Sequence, residues 1–326
     1  MTWYFAACAV GFLMLYYGAE WLVKGSSSLA QSLGITPIVI GLTVVAFGTS
    51  APELVVSVVC SLQGQCMIAV GNVVGSNIAN IALVLGLAAT LQPITSDPVV
   101  ARRDIPIMLG ISLYLLVISA NSMIGRLEGA TLFAGIIAYT VLNYYFAMKR
   151  SKERYAADCV TADNSIEEVH YISSRPKQIV LIVVGIVGVT VGARIVVDNA
   201  IEIMTILGVS AKFIGLTIVA FGTSLPELAT SIVAAVRKEM DISIGNLVGS
   251  NVFNILSVLG VASLVAPILI PGGFIESGLL LDYLVMLVIS FLPLIMLRKD
   301  FTISRLDGSI LLACYVGYIA YLISRG

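Results

Sequence analysis

Charged residues are scarce in this sequence. Aspartate, glutamate, lysine and arginine make up 11% of its 326 residues, whereas soluble domains carry about a quarter. Hydrophobic residues make up 59% of the chain, and its mean hydropathy is +1.02. These figures exclude an ordinary soluble domain and indicate the lipid bilayer as the solvent.

The sequence also lacks the features of several functional classes. A net charge of −1 gives no basic face for nucleic acid. No nucleophile and base pair or metal triad appears in the apolar segments, so we expect neither an enzyme nor a cofactor. No obligate protein partner is evident. The one histidine, His170, lies in a polar stretch. The five scattered cysteines form neither a disulfide framework nor a zinc-ligand spacing: Cys8, Cys60, Cys66, Cys159 and Cys314.

Long apolar runs fill most of the chain. A spanning helix needs about 20 mostly apolar residues, and the N-terminal run lacks the basic start of a cleaved signal, so it counts as the first span. One polar stretch, 149–177, separates five spans from five and predicts two halves, 1–148 and 178–326. The ten predicted spans are roughly 2–23, 36–61, 67–92, 105–121, 129–148, 178–199, 210–236, 241–269, 278–297 and 307–323.

Lysine and arginine are distributed unevenly among the predicted loops. With the N-terminus outside, the outer side keeps four of the 18 basic residues, namely Arg126, Arg194, Lys212 and Arg325. The remainder fall on the inner side, as the positive-inside rule requires. The distribution therefore predicts both termini outside and the polar connector in the cytoplasm.

Two segments of the chain recur at a constant spacing. GLTVVAFGTSAPELVVS at 41–57 returns as GLTIVAFGTSLPELATS at 215–231, and GNVVGSNIANI at 71–81 returns as GNLVGSNVFNI at 245–255, both offset by 174 residues. Because each half holds an odd number of spans, the second copy must enter the membrane from the opposite side. Inverted repeats of this kind are a recurring transporter design, with the binding site near the midplane.

The GTSxPE segment interrupts an apolar helix in each repeat. Pro52 and Pro226 cannot donate a backbone hydrogen bond, so carbonyls are released at membrane depth, where they must face a cavity or find another partner. Segments 50–53 and 224–227 also fit the capping-box pattern, with the serine as the helix cap and the glutamate folding back onto it. The sequence therefore predicts a broken helix in each half.

Helical spacing predicts a polar face at each break. Thr49 and Glu53 are four residues apart and Ala46 precedes Thr49 by three, so one face presents a carboxylate, a hydroxyl and a freed carbonyl. The second repeat places Ala220, Thr223 and Glu227 in the same way. The neighbouring motif adds hydroxyl and amide groups four residues apart, at Asn72, Ser76 and Asn80 and at Asn246, Ser250 and Asn254.

A site of this composition suits hard cations. Ca²⁺ takes 6 to 8 oxygen ligands at about 2.3 to 2.6 Å, and the absence of nearby histidine or cysteine argues against zinc or copper. Two ionised glutamates are neutralised by one Ca²⁺ or by two Na⁺, so these ions can compete for one site. A third Na⁺ would make the exchange electrogenic, and protons are also plausible competitors.

The paired GTSxPE and GNxxGSNxxNI motifs resemble the two alpha repeats of the cation/Ca²⁺ exchanger superfamily, in its prokaryotic sodium/calcium exchanger branch, over nearly the whole chain. The resemblance implies an all-α membrane protein of ten transmembrane helices in two inverted five-helix repeats. It also implies ion binding between the second, third, seventh and eighth helices, transport by alternating access, and location in a prokaryotic cytoplasmic membrane.

The resemblance also implies roles for individual residues. Glu53 and Glu227 resemble the central Ca²⁺ ligands, supported by Thr49 and Thr223. Asn80 and Asn254 remain candidate ligands; potassium-dependent exchangers have an aspartate at the second of these positions, so asparagine in both copies argues against potassium co-transport. Residues that resemble the flanking Na⁺ sites are Ala46, Ser50, Ser76, Ala220, Ser224 and Ser250.

Three functions remain open from the sequence alone. The twin glutamate motifs favour Na⁺/Ca²⁺ antiport. An H⁺-coupled exchanger for Ca²⁺ or another cation would use the same scaffold, and a passive cation channel would need no counter-ion. The motif serines and asparagines also have a structural alternative, because such side chains cap helices or join them in membranes.

Overall fold

The structure, a computed structural model, describes residues 1–158, 172–208, 222–298 and 300–325. These residues are mostly helical. Within the described ranges, four helical stretches are π-helical: Gly41–Val45, Ala79–Leu85, Val100–Asp104 and Asn254–Leu259. The helices are α1 Thr2–Leu33, α2 Pro37–Thr49, α3 Ala51–Leu62, α4 Cys66–Leu91, α5 Ile105–Ser119, α6 Arg126–Asp158, α7 Arg175–Ile206, α8 Leu225–Val236, α9 Met240–Val265, α10 Leu279–Met296 and α11 Arg305–Arg325.

Ten spans can be assigned to these helices. Seven helices are long and apolar enough to cross a membrane, and the bent pair α2 and α3 makes an eighth span. Helix α5 spans together with the π-helical stretch before it, where Arg102, Arg103 and Asp104 lie. Helix α8 is the described part of the seventh span, predicted at 210–236. The ten-helix prediction is therefore confirmed.

Several helices extend beyond their predicted ends. The first and sixth spans were predicted at 2–23 and 178–199, but α1 and α7 are each 32 residues long, or about 48 Å, against about 30 Å of hydrocarbon. The apolar run ends at Lys24, whereas α1 continues to Leu33. Gly34, with a φ of 65°, then ends the helix. Helix α6 likewise enters the predicted connector.

Residues outside the described ranges include Cys159, His170, Lys212 and Ala220.

Helices α1 and α7 pack against each other through glycine. Gly11, Gly18 and Gly25 are spaced seven residues apart on α1 and face α7. A Cβ atom at Gly18 would lie 2.7 Å from the backbone nitrogen of Val189, and one at Gly185 would lie 2.6 Å from an α1 backbone nitrogen. Small residues therefore let the two backbones touch, as in other membrane helix pairs.

The paired glycines of the second motif, Gly71 and Gly75 in one repeat and Gly245 and Gly249 in the other, have different surroundings. A Cβ at Gly245 would lie 2.8 Å from an α2 carbonyl oxygen, and one at Gly249 would lie 2.7 Å from another, so α9 packs directly on α2. No described atom lies within 4 Å of a Cβ built at Gly71 or Gly75. The segment that the 174-residue offset places opposite these glycines, 212–220, lies outside the described residues.

In the part of the chain that the structure describes, four two-residue strands join the two halves. Strands β1 Ile94–Thr95 and β3 Ile268–Leu269 each follow the third span of their half, whereas β2 Met123–Ile124 and β4 Thr302–Ile303 each precede the fifth. Strand β1 pairs antiparallel with β4, and β2 pairs with β3. Each pair therefore crosses between the repeats, and the two pairs are related by the same inverted symmetry as the helices.

Polar and apolar side chains are arranged as expected for a protein in lipid. Helices α4 and α9 are the most enclosed spans, and all their asparagine and serine side chains except Asn72 are buried. Large apolar side chains instead lie on the outer surface, for example Trp3, Leu127 and Val316, which are 76%, 82% and 66% exposed. This distribution places the polar groups at the centre of the helix bundle.

Candidate ion-binding site

The second span breaks at the GTSxPE motif. Helix α2 ends at Thr49, α3 begins at Ala51, and the two are bent by 45°. Pro52 is in the first turn of α3, and Pro226 holds the same position in α8. A proline is tolerated in a first turn because that N–H would have no helical partner. The predicted break is therefore present in the first repeat, and α8 begins at the matching residue of the second.

The serines at these positions do not cap their own helices. Neither Ser50 nor Ser224 makes a side-chain cap hydrogen bond, so the predicted capping boxes are wrong. The Ser50 hydroxyl instead donates to Oε1 of Glu227 in the opposite repeat at 3.4 Å, and both carboxylate oxygens of Glu53 have no hydrogen-bond partner. Tertiary contact across the repeats has replaced the local interaction that the sequence pattern predicts.

Glu53 and Glu227 meet in the interior of the bundle. Both are fully buried, and they are close enough to interact electrostatically. Oε2 of Glu227 has no hydrogen-bond partner, and neither glutamate forms an ion pair with a described lysine or arginine. Burying an unpaired ionised carboxylate costs several kcal/mol. The pair therefore needs a cation or protons to be stable there.

Thr49 connects the broken span to α9. Its Oγ1 lies 3.1 Å from Oδ1 of Asn246, 3.3 Å from Oγ of Ser250 and 3.3 Å from the Ala46 carbonyl oxygen. The Ala46 carbonyl also accepts the Ser50 backbone N–H at 3.0 Å. The Ala46 carbonyl is therefore hydrogen-bonded, whereas the sequence predicts an unpaired one. A carbonyl oxygen has two lone pairs, so a hydrogen-bonded carbonyl can still be an ion ligand.

Four asparagines form a symmetric cluster between α4 and α9. Nδ2 of Asn77 donates to the Asn251 carbonyl and Nδ2 of Asn251 donates to the Asn77 carbonyl, each at 3.3 Å. Nδ2 of Asn80 donates to Oδ1 of Asn251, and Nδ2 of Asn254 donates to Oδ1 of Asn77, each at 3.1 Å. The amide nitrogens are thus used within the cluster.

This cluster leaves two amide oxygens available. Oδ1 of Asn80 and Oδ1 of Asn254 are buried without a hydrogen-bond partner, and both residues lie in a π-helical stretch of their helix. Asn77 and Asn251 hold these amides in place, yet the helical spacing of the motif does not point to them. A spacing of four residues points to Ser76 and Asn80 but not to the asparagine that follows Ser76. That asparagine is nevertheless present in both GSN motifs.

The other motif asparagines join neighbouring helices. Nδ2 of Asn72 lies 3.0 Å from Oγ of Ser57 and 3.3 Å from the Glu53 carbonyl oxygen. Nδ2 of Asn246 donates to Oγ of Ser231 at 3.2 Å. Since the two serines are also related by the repeat, these bonds attach α4 to α3 and α9 to α8 in the same way.

The remaining predicted site residues differ in burial and in hydrogen bonding, and one lies outside the described ranges. The hydroxyl groups of Ser76 and Ser224 are buried without a hydrogen-bond partner. Thr223 is half-buried, and Ala220 lies outside the described residues. The described chain holds no cluster of three or more histidine, cysteine, aspartate or glutamate residues. The unpaired buried oxygens on these spans belong to carboxylate, hydroxyl and amide groups, which are ligands for hard cations.

Comparison with known proteins agrees with this architecture. The family described as sodium/calcium exchanger protein matches residues 3–145 and 177–324. The chain is 36% identical to the inner membrane protein YrbG of Escherichia coli, covering 97% of this chain and 96% of that protein. It is 32% identical to the sodium/calcium exchanger MaX1 of Methanosarcina acetivorans, with 98% of both chains covered.

A solved structure and a more distant relative extend the comparison. The structure of the sodium-calcium exchanger NCX_Mj matches with a TM-score of 0.81 and 32% identity, covering 98% of both chains. A Ca²⁺/H⁺ antiporter of Aphanothece halophytica is 23% identical over 90% of this chain. The chain therefore belongs to the sodium/calcium exchanger family, and it is an integral membrane antiporter rather than an enzyme.

Proposed function

We propose that this chain exchanges Ca²⁺ for Na⁺ across the membrane by alternating access to one central site. The observation that supports this proposal most strongly is the buried pair Glu53 and Glu227, one from each inverted repeat. No lysine or arginine in the described part of the chain forms an ion pair with either glutamate. Because one Ca²⁺ or two Na⁺ would each balance this pair, the two ions can replace each other at the same carboxylates. Binding of one ion would then require release of the other.

The proposed ligands follow from the positions of the oxygen atoms. Glu53 and Glu227 bind Ca²⁺ at the centre, with Thr49 and Thr223 beside them. Amide oxygens of Asn80 and Asn254 complete the set, since they are buried and unpaired. The proposed flanking Na⁺ sites use Ala46, Ser50, Ser76, Ala220, Ser224 and Ser250.

Ion flux into liposomes that contain the purified chain tests the proposal. Vesicles loaded with Na⁺ and diluted into Na⁺-free buffer should take up ⁴⁵Ca²⁺, and vesicles without a Na⁺ gradient should not. A K⁺ diffusion potential, inside positive or inside negative, should change the rate if more than two Na⁺ move per Ca²⁺. Uptake that ignores the Na⁺ gradient would contradict Na⁺ coupling.

The second candidate is H⁺-coupled exchange of Ca²⁺ or another cation. The same two carboxylates could carry protons instead of Na⁺, and the Ca²⁺/H⁺ antiporter among the relatives supports this alternative. Uptake of ⁴⁵Ca²⁺ driven by a pH gradient in Na⁺-free buffer would favour it. Flux that follows voltage alone, with no counter-ion, would indicate a passive channel.

Potassium is not expected to be transported. Asparagine occupies both position 80 and position 254, so the cluster between α4 and α9 has no carboxylate to balance an additional cation. Na⁺-driven ⁴⁵Ca²⁺ uptake should therefore be the same with K⁺ or with choline on the opposite side. A requirement for K⁺ would contradict this.

The proposed location is the cytoplasmic membrane of a prokaryote, with both termini outside and the connector 149–177 inside. The distribution of lysine and arginine supports this orientation, and the inner membrane relative supports this location. The division into halves at 1–148 and 178–326 remains a prediction. Labelling single cysteines at the C-terminus and in the connector with a membrane-impermeant thiol reagent on intact cells would test the orientation.

A further inference from the structure

Two neighbouring cavities on the outside of the first half are not part of the ion-binding site. The first, of about 420 Å³, lies between the start of α2, the segment before α5 and residues 146–149 of α6. Arg102, Arg103 and Lys149 line it together with apolar side chains such as Val39 and Phe146. By the predicted topology these three segments lie on the same side of the membrane, so this cavity is at the border between lipid and water.

The second cavity is an apolar groove that continues from the first. It measures about 410 Å³, lies between α5 and α6, and shares Arg103 and Phe146 with the basic cavity. A hydrogen bond of 2.7 Å between Tyr114 and Thr131 closes its far end. From Arg103 to Tyr114 the helix rises about 16 Å, which is close to half of the 30 Å hydrocarbon thickness of a bilayer.

Two glycines create the space in this groove. Gly110 on α5 and Gly135 on α6 both line it. No described atom lies within 4 Å of a Cβ built at Gly110, so the space there is open to the outside of the bundle. The groove therefore has the depth and the apolar walls of a cleft for one acyl chain.

The basic cavity forms the mouth of the groove. Acidic side chains of the protein neutralise part of the positive charge there. Arg103 donates to Oδ1 of buried Asp104 and to Oδ1 of Asn143, both at 2.8 Å, and its guanidinium lies 5.3 Å from the Phe146 ring. Asp104 therefore offsets the charge of Arg103. Asp97, which lies in the same loop, supplies a second negative charge.

The other two basic side chains at the mouth are available to an anion. Arg102 is exposed and lies 5.5 Å from the Phe301 ring, and Lys149 is exposed as well. Neither forms an ion pair with a described residue. The border here is therefore basic.

We propose that this pair of cavities is a binding site for one anionic phospholipid. Its phosphate would contact Arg102 and Lys149, and one acyl chain would occupy the groove between α5 and α6. An anionic lipid fits better than a zwitterionic one because the mouth is basic, and basic residues at a membrane surface attract anionic lipid. A lipid fits better than free phosphate because the apolar groove is continuous with the basic mouth.

Lipid binding to the intact, purified chain tests the proposal. Native mass spectrometry in detergent should show one phosphatidylglycerol bound more tightly than phosphatidylcholine of the same chain length. The double variant Arg102→Gln/Lys149→Gln should bind phosphatidylglycerol roughly 30-fold more weakly, because a basic residue near the surface contributes about 1 kcal/mol and 1.4 kcal/mol is tenfold. Its affinity for phosphatidylcholine should not change.

The matched control for charge is Arg175→Gln/Lys177→Gln. These two exposed residues lie at the start of α7 on the same side of the membrane and line neither cavity. The control should bind phosphatidylglycerol as the unmodified chain does. If both double variants lose affinity equally, the effect comes from general surface charge and the proposed site is refuted.

A second pair of variants tests the groove. Gly110→Leu places a side chain in the open space and should weaken binding of phosphatidylglycerol. Gly317→Leu on α11, where a Cβ also meets no described atom within 4 Å, should not. Inorganic phosphate at the same concentration should not displace the lipid. Displacement by phosphate, or full lipid binding by Gly110→Leu, would overturn the assignment of an acyl chain to the groove. Gel filtration of each variant establishes that it is folded.

Discussion

Removing the Asn251 side chain would test whether the asparagine cluster prepares the ion ligands. Asn251 accepts a hydrogen bond from Asn80 and donates one to the Asn77 carbonyl, and all three residues are buried. In Asn251→Ala, the Asn80 amide loses the bond that fixes its orientation, so its oxygen is no longer held free for a cation.

The size of the effect follows from the contacts that are lost. A buried polar group left without a partner costs about 1 to 3 kcal/mol, and Asn251→Ala leaves the Asn80 amide nitrogen in that state. Loss of a residue that orients a metal ligand typically lowers metal affinity by about 10- to 100-fold. We therefore expect Asn251→Ala to be less stable and to bind Ca²⁺ about 10- to 100-fold more weakly.

Calorimetric titration of the purified variant with Ca²⁺ measures this affinity, and initial rates of ⁴⁵Ca²⁺ uptake measure its consequence for transport. By the symmetry of the repeats, Asn77→Ala should behave in the same way. Asn199→Ala is the control, because among the described residues its amide donates to the Ile195 carbonyl of its own helix and to no other group. A variant with lower thermal stability but unchanged Ca²⁺ affinity would refute the reasoning and leave the cluster with a purely structural role.

Three further predictions follow from the site and the fold. Glu53→Gln and Glu227→Gln keep the side-chain shape but remove one charge, so each should abolish Na⁺-driven ⁴⁵Ca²⁺ uptake while the protein still inserts; full activity would remove that residue from the site. Gly185→Ala places a Cβ against backbone and should lower the free energy of unfolding by about 1 to 3 kcal/mol, measured by thermal unfolding in detergent. Thr95→Cys/Thr302→Cys, in a chain without its native cysteines, should form a disulfide between β1 and β4 that is visible by gel shift; no oxidation product would contradict the register.

Much of the fold follows from patterns that are local in the sequence. Apolar length predicts the spans, and the 174-residue offset together with an odd number of spans predicts the inversion. Helix ends are predicted less well because apolarity is only one of the forces on a helix. Helix α1 continues through Lys24 because it remains packed against α7 over its length, with Gly25 in contact with the α7 backbone, and α7 is distant in sequence.

Part of the candidate site could also be predicted from the sequence. The paired motifs identify Glu53 and Glu227, since charged residues in the middle of apolar helices are costly and here occur twice. Two predictions from the same motifs are wrong, and both concern hydrogen bonds within one helix. Ser50 was predicted to cap its own helix and Ala46 to have a free carbonyl, yet both make other bonds because the opposite repeat and the neighbouring turn supply partners.

By itself, the sequence determined that this protein lies in a membrane, that its two halves are inverted copies, and that each contributes one acidic side chain. These properties depend on composition, periodicity and repetition. Only the tertiary structure decided which buried oxygens of the described residues are left without a hydrogen-bond partner. That outcome depends on contacts between the halves, such as Asn77 with Asn251 and Ser50 with Glu227, and no spacing within one helix reports a hydrogen bond to a residue on another.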